Sequence, residues 1–311
     1  MTAPLAIEAH GLTRRFGSFT AVDDADISVR RGSIYGFLGP NGAGKSTAIR
    51  MLTGLLRPSA GSIRIEGIDV RRRPEKAKRI IGYMTQHFSL YEDLAVGENL
   101  EFYRGVYGGR RESKGRLSEA LELEPYLSRL ASEVPGGVRQ KLMLACVLMH
   151  DPSVLFLDEP TAGVDPVSRR GFWDIINGLS HGGTTVFLTT HFLDEAEYCH
   201  DLGFIRAGRV IEGGTPRELR RRFDHVRLFE VEVEDYAAAE KELAADDRVH
   251  DTYLHGPRIH AFAGENVDGE EIGRRLEAGG FECLAVRRIP PSMEDIFIML
   301  TSGTDEGGED R

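Results

Sequence analysis

A chain of 311 residues with 39 Lys+Arg against 49 Asp+Glu, a net charge of −10, has room for one large domain and a small one and is no bulk polycation. That balance argues against wholesale nucleic-acid binding, which leans on Lys and Arg neutralising phosphates. A composition of 41% hydrophobic and 28% charged residues excludes a fibre or a wholly disordered chain.

The opening MTAPLAIEAHGLTRRFG lacks a charged start followed by an apolar stretch, so no signal peptide is expected. From there to about residue 220, short β-rich runs alternate with helical patterns. Residues 33–38, 80–85, 154–157, 185–189 and 202–206 are short, largely apolar β-rich runs bounded by Gly, Asp or Thr. Such runs predict the interior of a mostly parallel sheet covered by helices on both faces. The longest uninterrupted apolar run, 142–149, is far short of the roughly 20 residues a spanning helix needs, so no membrane span is expected. Cys146, Cys199 and Cys283 are odd in number and form no CxxC pair, which argues against a disulfide framework or zinc site and for the cytoplasm.

After Arg220–Arg222 the pattern changes. Phe229, Val231 and Val233 alternate with Glu230, Glu232 and Glu234, the period of a half-buried strand. Helix over 236–245, strands over 248–254 and 258–263 turning at Gly256-Pro257, helix over 270–278 and strand over 282–288 complete a β-α-β-β-α-β order, the ferredoxin-like plan. Ser292 and Asp295 predict a capping box for a last helix through Leu300, and the acidic, Gly-rich segment from Thr301 is expected to be disordered. The expected domains are 1–222, with a helical subdomain over about 87–150, then 223–300 and the tail 301–311. Residues 1–224 carry 30 Lys+Arg and 28 Asp+Glu, whereas 225–311 carry 9 and 21, so the negative charge belongs to the C-terminal region. Its field would repel nucleic acid and anionic lipid.

Gly39, Pro40, Asn41, Gly42, Ala43, Gly44, Lys45 and Ser46 fit GxxxxGK[ST] directly after one strand and before the helical pattern 47–55, which begins at Thr47. Glycines let successive N–H groups turn inward as an anion nest, the helix N-terminus adds its positive end, Lys45 reaches the β/γ-phosphates, and the Ser46 hydroxyl ligates Mg²⁺. The run 154–157 then delivers two carboxylates: Asp158 as a magnesium partner and Glu159 to polarise an attacking water.

The ordered set GPNGAGKS, Gln86, LDEP, Gly163-Val164-Asp165-Pro166 and TVFLTTH ending in His191 resembles the nucleotide-binding subunit of ABC transporters over about residues 5–220. The resemblance implies a P-loop NTPase of α/β class, an ATPase with ATP and Mg²⁺ as cofactors. It further implies that Gln86 senses γ-phosphate and metal, that Asp165 lies at a dimer seam, that His191 holds the γ-phosphate and the attacking water, and that Phe16 stacks on adenine. Where the family carries LSGGQ, this chain has Val134, Pro135, Gly136, Gly137 and Val138: both glycines and their backbone donors are kept, and the serine hydroxyl is lost. A hydrogen bond to a charged group is worth about 1.5–3 kcal/mol, so a composite site using this loop is expected to be slower by tenfold or more.

A proline in that loop, the segment ACVLMHDP and the motif Pro-Ser-Met-Glu-Asp-Ile-Phe-Ile at 291–298 resemble the ATPases of ABC-2 type multidrug exporters. That implies a separate permease reached through a groove after Gln86 (His87, Phe88, Leu90, Tyr91, Leu94), a homodimer or a heterodimer with a second ATPase chain, and a peripheral place on the inner face of the membrane. No direct nucleic-acid contact is expected. The alternative is a soluble ABC ATPase acting on ribosomes or another nucleic-acid machine, with Arg71–Arg73 and Arg220–Arg222 as contacts. A phosphate-loop kinase or GTPase would leave the set Gln86, Gly136-Gly137 and His191 unexplained.

Overall fold

The computed structural model describes residues 4–87 and 89–302. In chain order it contains β1 (Leu5–Phe16), β2 (Phe19–Arg30), β3 (Ile34–Leu38), α1 (Lys45–Leu52), β4 (Ala60–Ile65), β5 (Ile68–Asp69), α2 (Pro74–Lys78), β6 (Ile81–Met84), α3 (Val96–Tyr107), α4 (Arg111–Ala120), α5 (Gly136–Val147), β7 (Val154–Asp158), α6 (Pro166–His181), β8 (Thr185–Thr190), β9 (Asp201–Arg206) and β10 (Arg209–Gly214). There follow α7 (Pro216–Arg222), β11 (Val226–Val233), α8 (Tyr236–Ala244), β12 (Val249–His255), β13 (Arg258–Gly264), α9 (Gly269–Ala278), β14 (Cys283–Ile289) and α10 (Met293–Ser302). The chain divides into two compact units, Met1–Thr215 and Pro216–Arg311. The division precedes the expected boundary at 222: α7, on which Leu219 is buried, packs against α10 of the second unit.

In the first unit every residue of β3, β7 and β8 is buried, as strands covered on both faces must be. They form the centre of a six-stranded sheet of order β10-β9-β3-β8-β7-β6, parallel except for β10 at its edge. The carboxyl ends of β3, β6, β7 and β8 therefore open on one crevice, where open α/β sheets bind their ligands. A second, antiparallel sheet of order β2-β1-β4-β5 was not legible in the sequence. Its strand β1 shifts register against β2 between Leu5 and Ile7, between Ala9 and Leu12 and again beyond Leu12, so period two is not sustained. Between β6 and β7, helices α3, α4 and α5 form a helical insertion. Buried Asn99 pins the segment entering α3: its Oδ1 accepts from Tyr91 N at 3.0 Å and its Nδ2 donates to Tyr91 O at 2.9 Å.

The second unit has the ferredoxin-like order β12-β13-β11-β14, all antiparallel. Phe229, Val231 and Val233 form its core with Leu243, Ile272 and Leu276. The last helix runs to Ser302, two residues past the expected end, so Thr301 and Ser302 are helical and not part of a disordered tail; residues 303–311 lie outside the described residues. Ser292 and Asp295 form the expected capping box, with Ser292 N donating to Asp295 Oδ2 at 2.6 Å and Asp295 N donating to Ser292 Oγ at 3.2 Å.

The same carboxylate ties α10 to the sheet: Asp295 Oδ1 accepts from Tyr253 Oη at 2.5 Å and lies 2.7 Å from His260 Nδ1. Burial opposes its ionisation, but hydrogen bonds from His260, Ser292 and Tyr253 prevail and hold it at about 2. A depressed carboxylate stabilises the fold above its ordinary value of 3.8, and that contribution is lost as pH falls through about 2. Asp295→Asn is expected to cost about 1–2 kcal/mol at pH 7 after solvent screening and almost nothing at pH 2. Hydrogen exchange of the α10 amides at the two pH values, corrected for intrinsic rates, checks this.

Candidate functional site

The loop from β3 to α1 depends on backbone that only glycine adopts easily: Gly42 has φ 82° and Gly44 φ 109°. A Cβ on Gly44 would stand 2.4 Å from Ala21 O, and one on Gly39 2.2 Å from Ile205 O. The loop is thus pressed against neighbouring backbone, and α1 opens from Gly44 with no side-chain cap on its first-turn N–H groups. Those groups, the loop amides and Lys45 face a cleft of about 330 Å³ lined by Phe19, Asn41, Gly42, Gly44, Lys45, Ser46, Thr47, Gln86 and Glu159. This is a nest for a polyanion.

Glu159 is the hub of that cleft. Its Oε1 lies 3.2 Å from Lys45 Nζ; its Oε2 accepts from Gln86 Nε2 at 3.0 Å and lies 3.1 Å from His191 Nδ1. Three of the residues singled out in the sequence, from the ends of β6 and β8 and the start of α1, therefore meet on one buried carboxylate. Its backbone is left-handed, with φ 48°, a conformation costing a non-glycine residue about 1–2 kcal/mol. It is held there by Glu159 N, which donates to Thr189 O at 3.1 Å and to Thr189 Oγ1 at 3.0 Å. Lys45 Nζ also donates to Gly39 O at 2.6 Å and Pro40 O at 3.1 Å, contacts that a phosphate entering the loop would replace.

Asp158 lies one residue deeper. Its Oδ1 accepts from Ser46 Oγ at 3.1 Å and from Thr189 Oγ1 at 2.6 Å. A hydroxyl and a carboxylate together at the edge of a phosphate cradle are the hard oxygen donors that magnesium prefers, so the residues present fit that ion. Tyr83 adjoins this pair: burial, and then the Asp158 charge, push its hydroxyl above the usual phenol range. Thr189 and Tyr83 were missed in the sequence. A buried threonine at the end of an apolar strand requires a hydrogen-bond partner, and that requirement was the available signal for Thr189.

The remaining sequence candidates do not line this cleft. Phe16 is 46% exposed, with the Arg14 guanidinium 4.4 Å above its ring, and its hairpin partner Phe19 lines the cleft. Asp165 caps α6, accepting from Val167 N at 3.1 Å and Ser168 N at 3.0 Å; the Ser168 side chain first, then these backbone bonds, hold its carboxyl below the usual range. Pro135 is the N-cap of α5, followed by Gly136 and Gly137 in its first turn, with no side-chain cap. A Cβ on Gly137 would lie 2.7 Å from Ser168 Cβ, so the second glycine is needed for α5 to meet α6. The altered loop therefore keeps an open helix N-terminus.

Residues 22–162 match the family described as ABC transporter, and residues 214–301 match the ATP-binding protein DrrA1-3-like, C-terminal domain. The chain is 50% identical over 218 residues, 69% of its length, to the probable multidrug ABC transporter ATP-binding protein YbhF of Escherichia coli, and this match spans 38% of that relative. It is 37% identical to the daunorubicin resistance ATP-binding protein DrrA3 of Streptomyces coeruleorubidus, covering 99% of this chain and 98% of the relative. A solved ATP-binding subunit of an ABC transporter superposes with a TM-score of 0.64 at 30% identity, covering 70% of this chain and 93% of that one. Phosphate cradle, paired carboxylates and the contacts of Gln86 and His191 with Glu159 thus occur on the fold of that family, and the chain belongs to the ABC transporter ATP-binding proteins, as an ATPase.

Proposed function

We propose that this ATPase powers an ABC-2 type exporter of drugs or other small molecules, binding ATP with Mg²⁺ and acting as a dimer on a separate permease at the cytoplasmic face of the membrane. The observation that carries this reading is the match to a daunorubicin resistance protein through both units, including the C-terminal domain. Among the described residues no helix is long and apolar enough to cross a membrane, so transport requires a partner. Asp158 and Ser46 would hold the metal, which supplies charge neutralisation at the phosphates when bound. Glu159 takes the proton of the attacking water, and Gln86 and His191 orient its carboxylate. The bare first turn of α5 would face the nucleotide of the second protomer, with one hydroxyl donor fewer than the usual loop.

An exposed aromatic surface on the helical insertion supports a docking site for the permease. An aromatic ribbon runs from Tyr91 through Phe102, Tyr103 and Tyr107 to His150, with successive ring centroids 4.8–6.0 Å apart. Tyr91, Phe102, Val106 and Tyr107 are exposed, and such rings are common anchors at protein interfaces. Of the groove residues expected from sequence, His87 and Tyr91 are exposed and Leu90 and Leu94 half-buried, while Phe88 lies outside the described residues. The double variant Phe102→Ala, Tyr107→Ala is expected to keep ATP turnover of the isolated chain within about threefold but to lose most membrane recovery. Fractionation of cells expressing the chain with and without its membrane partner checks this; recovery in membranes irrespective of the partner or the variant would overturn the coupling.

A further inference from the structure

One buried acid has no part in the chemistry described above. Glu195 is 1% exposed and sits on the short 3-10 helix Leu193–Tyr198 that follows His191. Its Oε1 accepts from Thr161 Oγ1 at 2.6 Å, and Thr161 is itself 1% exposed. Thr161 lies in the loop that leads from Glu159 to Asp165, and both ends of that loop are folded as turns: Ala162 N donates to Glu159 O at 3.2 Å and Val164 N to Thr161 O at 3.2 Å. One hydrogen bond between buried groups therefore joins the segment behind His191 to the segment behind Glu159.

The 3-10 helix is also fastened to α6, the helix that Asp165 caps. The Arg169 guanidinium lies 4.1 Å over the Phe192 ring, whose centroid is 4.1 Å from that of His191, and Trp173 stacks on Tyr198 at 4.9 Å. Arg169 Nε stands 3.9 Å from Glu195 Oε1, short of a hydrogen bond. Among the described residues Glu195 Oε2, Arg169 Nε and Trp173 Nε1 are buried without hydrogen-bond partners. A carboxylate kept dry with one oxygen unsatisfied is expensive, and an apolar residue would fill the place at lower cost if packing were its only role.

We propose that Glu195 is a positioning residue for ATP hydrolysis: through Thr161 it sets the loop that aims Glu159 and Asp165, and through Phe192 and Arg169 it makes that setting depend on His191. The inference rests on ATP turnover at the Glu159 site. Wild-type turnover in the same assay tests that reading, and only the Glu195 and Thr161 variants test the tie.

The experiment measures steady-state ATP turnover, binding of a fluorescent ATP analogue and thermal unfolding of the full chain. Thr161→Val is nearly isosteric and removes only the hydroxyl; it is expected to lower kcat about tenfold and, because the buried Glu195 loses its donor, to lower the unfolding temperature by several degrees, while KM and analogue affinity barely move. Thr161→Ser, which restores a donor, should recover most of the rate. Glu195→Gln keeps an acceptor for Thr161 and should stay within about threefold of wild type, whereas combining it with Thr161→Val should be no worse than Thr161→Val alone. An unchanged kcat in Thr161→Val overturns the proposal, as does a fall shared equally by affinity, or one that Thr161→Ser fails to reverse. If Glu195→Gln does not fold, the two Thr161 variants decide the matter unaided.

Discussion

Replacing Glu159 by glutamine is expected to leave ATP binding intact and to lower turnover about 10²- to 10⁴-fold, the usual worth of a positioned general base. The side chain keeps its length, so the cleft keeps its shape. What changes is the hydrogen-bond inventory around one buried carboxylate. Lys45 Nζ loses its anion but retains Gly39 O and Pro40 O as acceptors. Gln86 Nε2 and His191 Nδ1 both address Oε2, and an amide nitrogen placed there would oppose Gln86, so either Gln86 or the introduced side chain must turn its amide. That turn is cheap at Gln86, which is exposed. The variant should therefore load nucleotide normally and accumulate in the loaded, dimeric form. Phosphate release and size-exclusion chromatography with ATP check both halves; turnover within a few-fold of wild type would remove Glu159 from the base role.

Much of this site could be read from sequence because its parts lie at strand ends. Apolar runs as uniform as Val154–Asp158 and Thr185–Thr190 read as central strands of a covered sheet, which puts Asp158 and Glu159 at a strand end, while the role of His191 came from the family resemblance; the pairing of β7 with β8 brings the three together. The ferredoxin-like unit was legible for a similar reason: Phe229, Val231 and Val233 hold strict period two, and the order of elements then selects the sheet. What escaped depends on contacts between residues remote in sequence. Thr161 and Glu195 are 34 residues apart and meet only because β7 and β8 are neighbours. Phe19 reaches the cleft beside the turn of a hairpin whose strands carry several register shifts, and no alternation pattern reports that. Tyr253 and His260 look like ordinary strand residues until α10 brings Asp295 onto them.

Replacing Lys45 by alanine is expected to abolish ATP binding at micromolar nucleotide and to weaken the fold itself. Lys45 is 4% exposed and Glu159 is 6% exposed, so their 3.2 Å ion pair is shielded from water. Removing one member of a buried pair leaves the other charged and uncompensated, which costs about 3–5 kcal/mol, or roughly 10 °C in unfolding temperature for a unit of this size. Gln86 and His191 can hydrogen-bond the stranded carboxylate but supply no permanent cation. The cure follows from the cause. The double variant Lys45→Ala, Glu159→Gln removes the stranded charge and should recover most of the lost stability while still failing to bind ATP, because the loop has lost the cation that reaches the phosphates. Thermal unfolding and nucleotide binding measured on the wild type, both single variants and the double variant separate the two roles of Lys45. If the double variant were as unstable as Lys45→Ala, the loss would come from the broken contacts to Gly39 O and Pro40 O rather than from charge, and Lys45 would be a structural latch of the loop as much as a phosphate ligand.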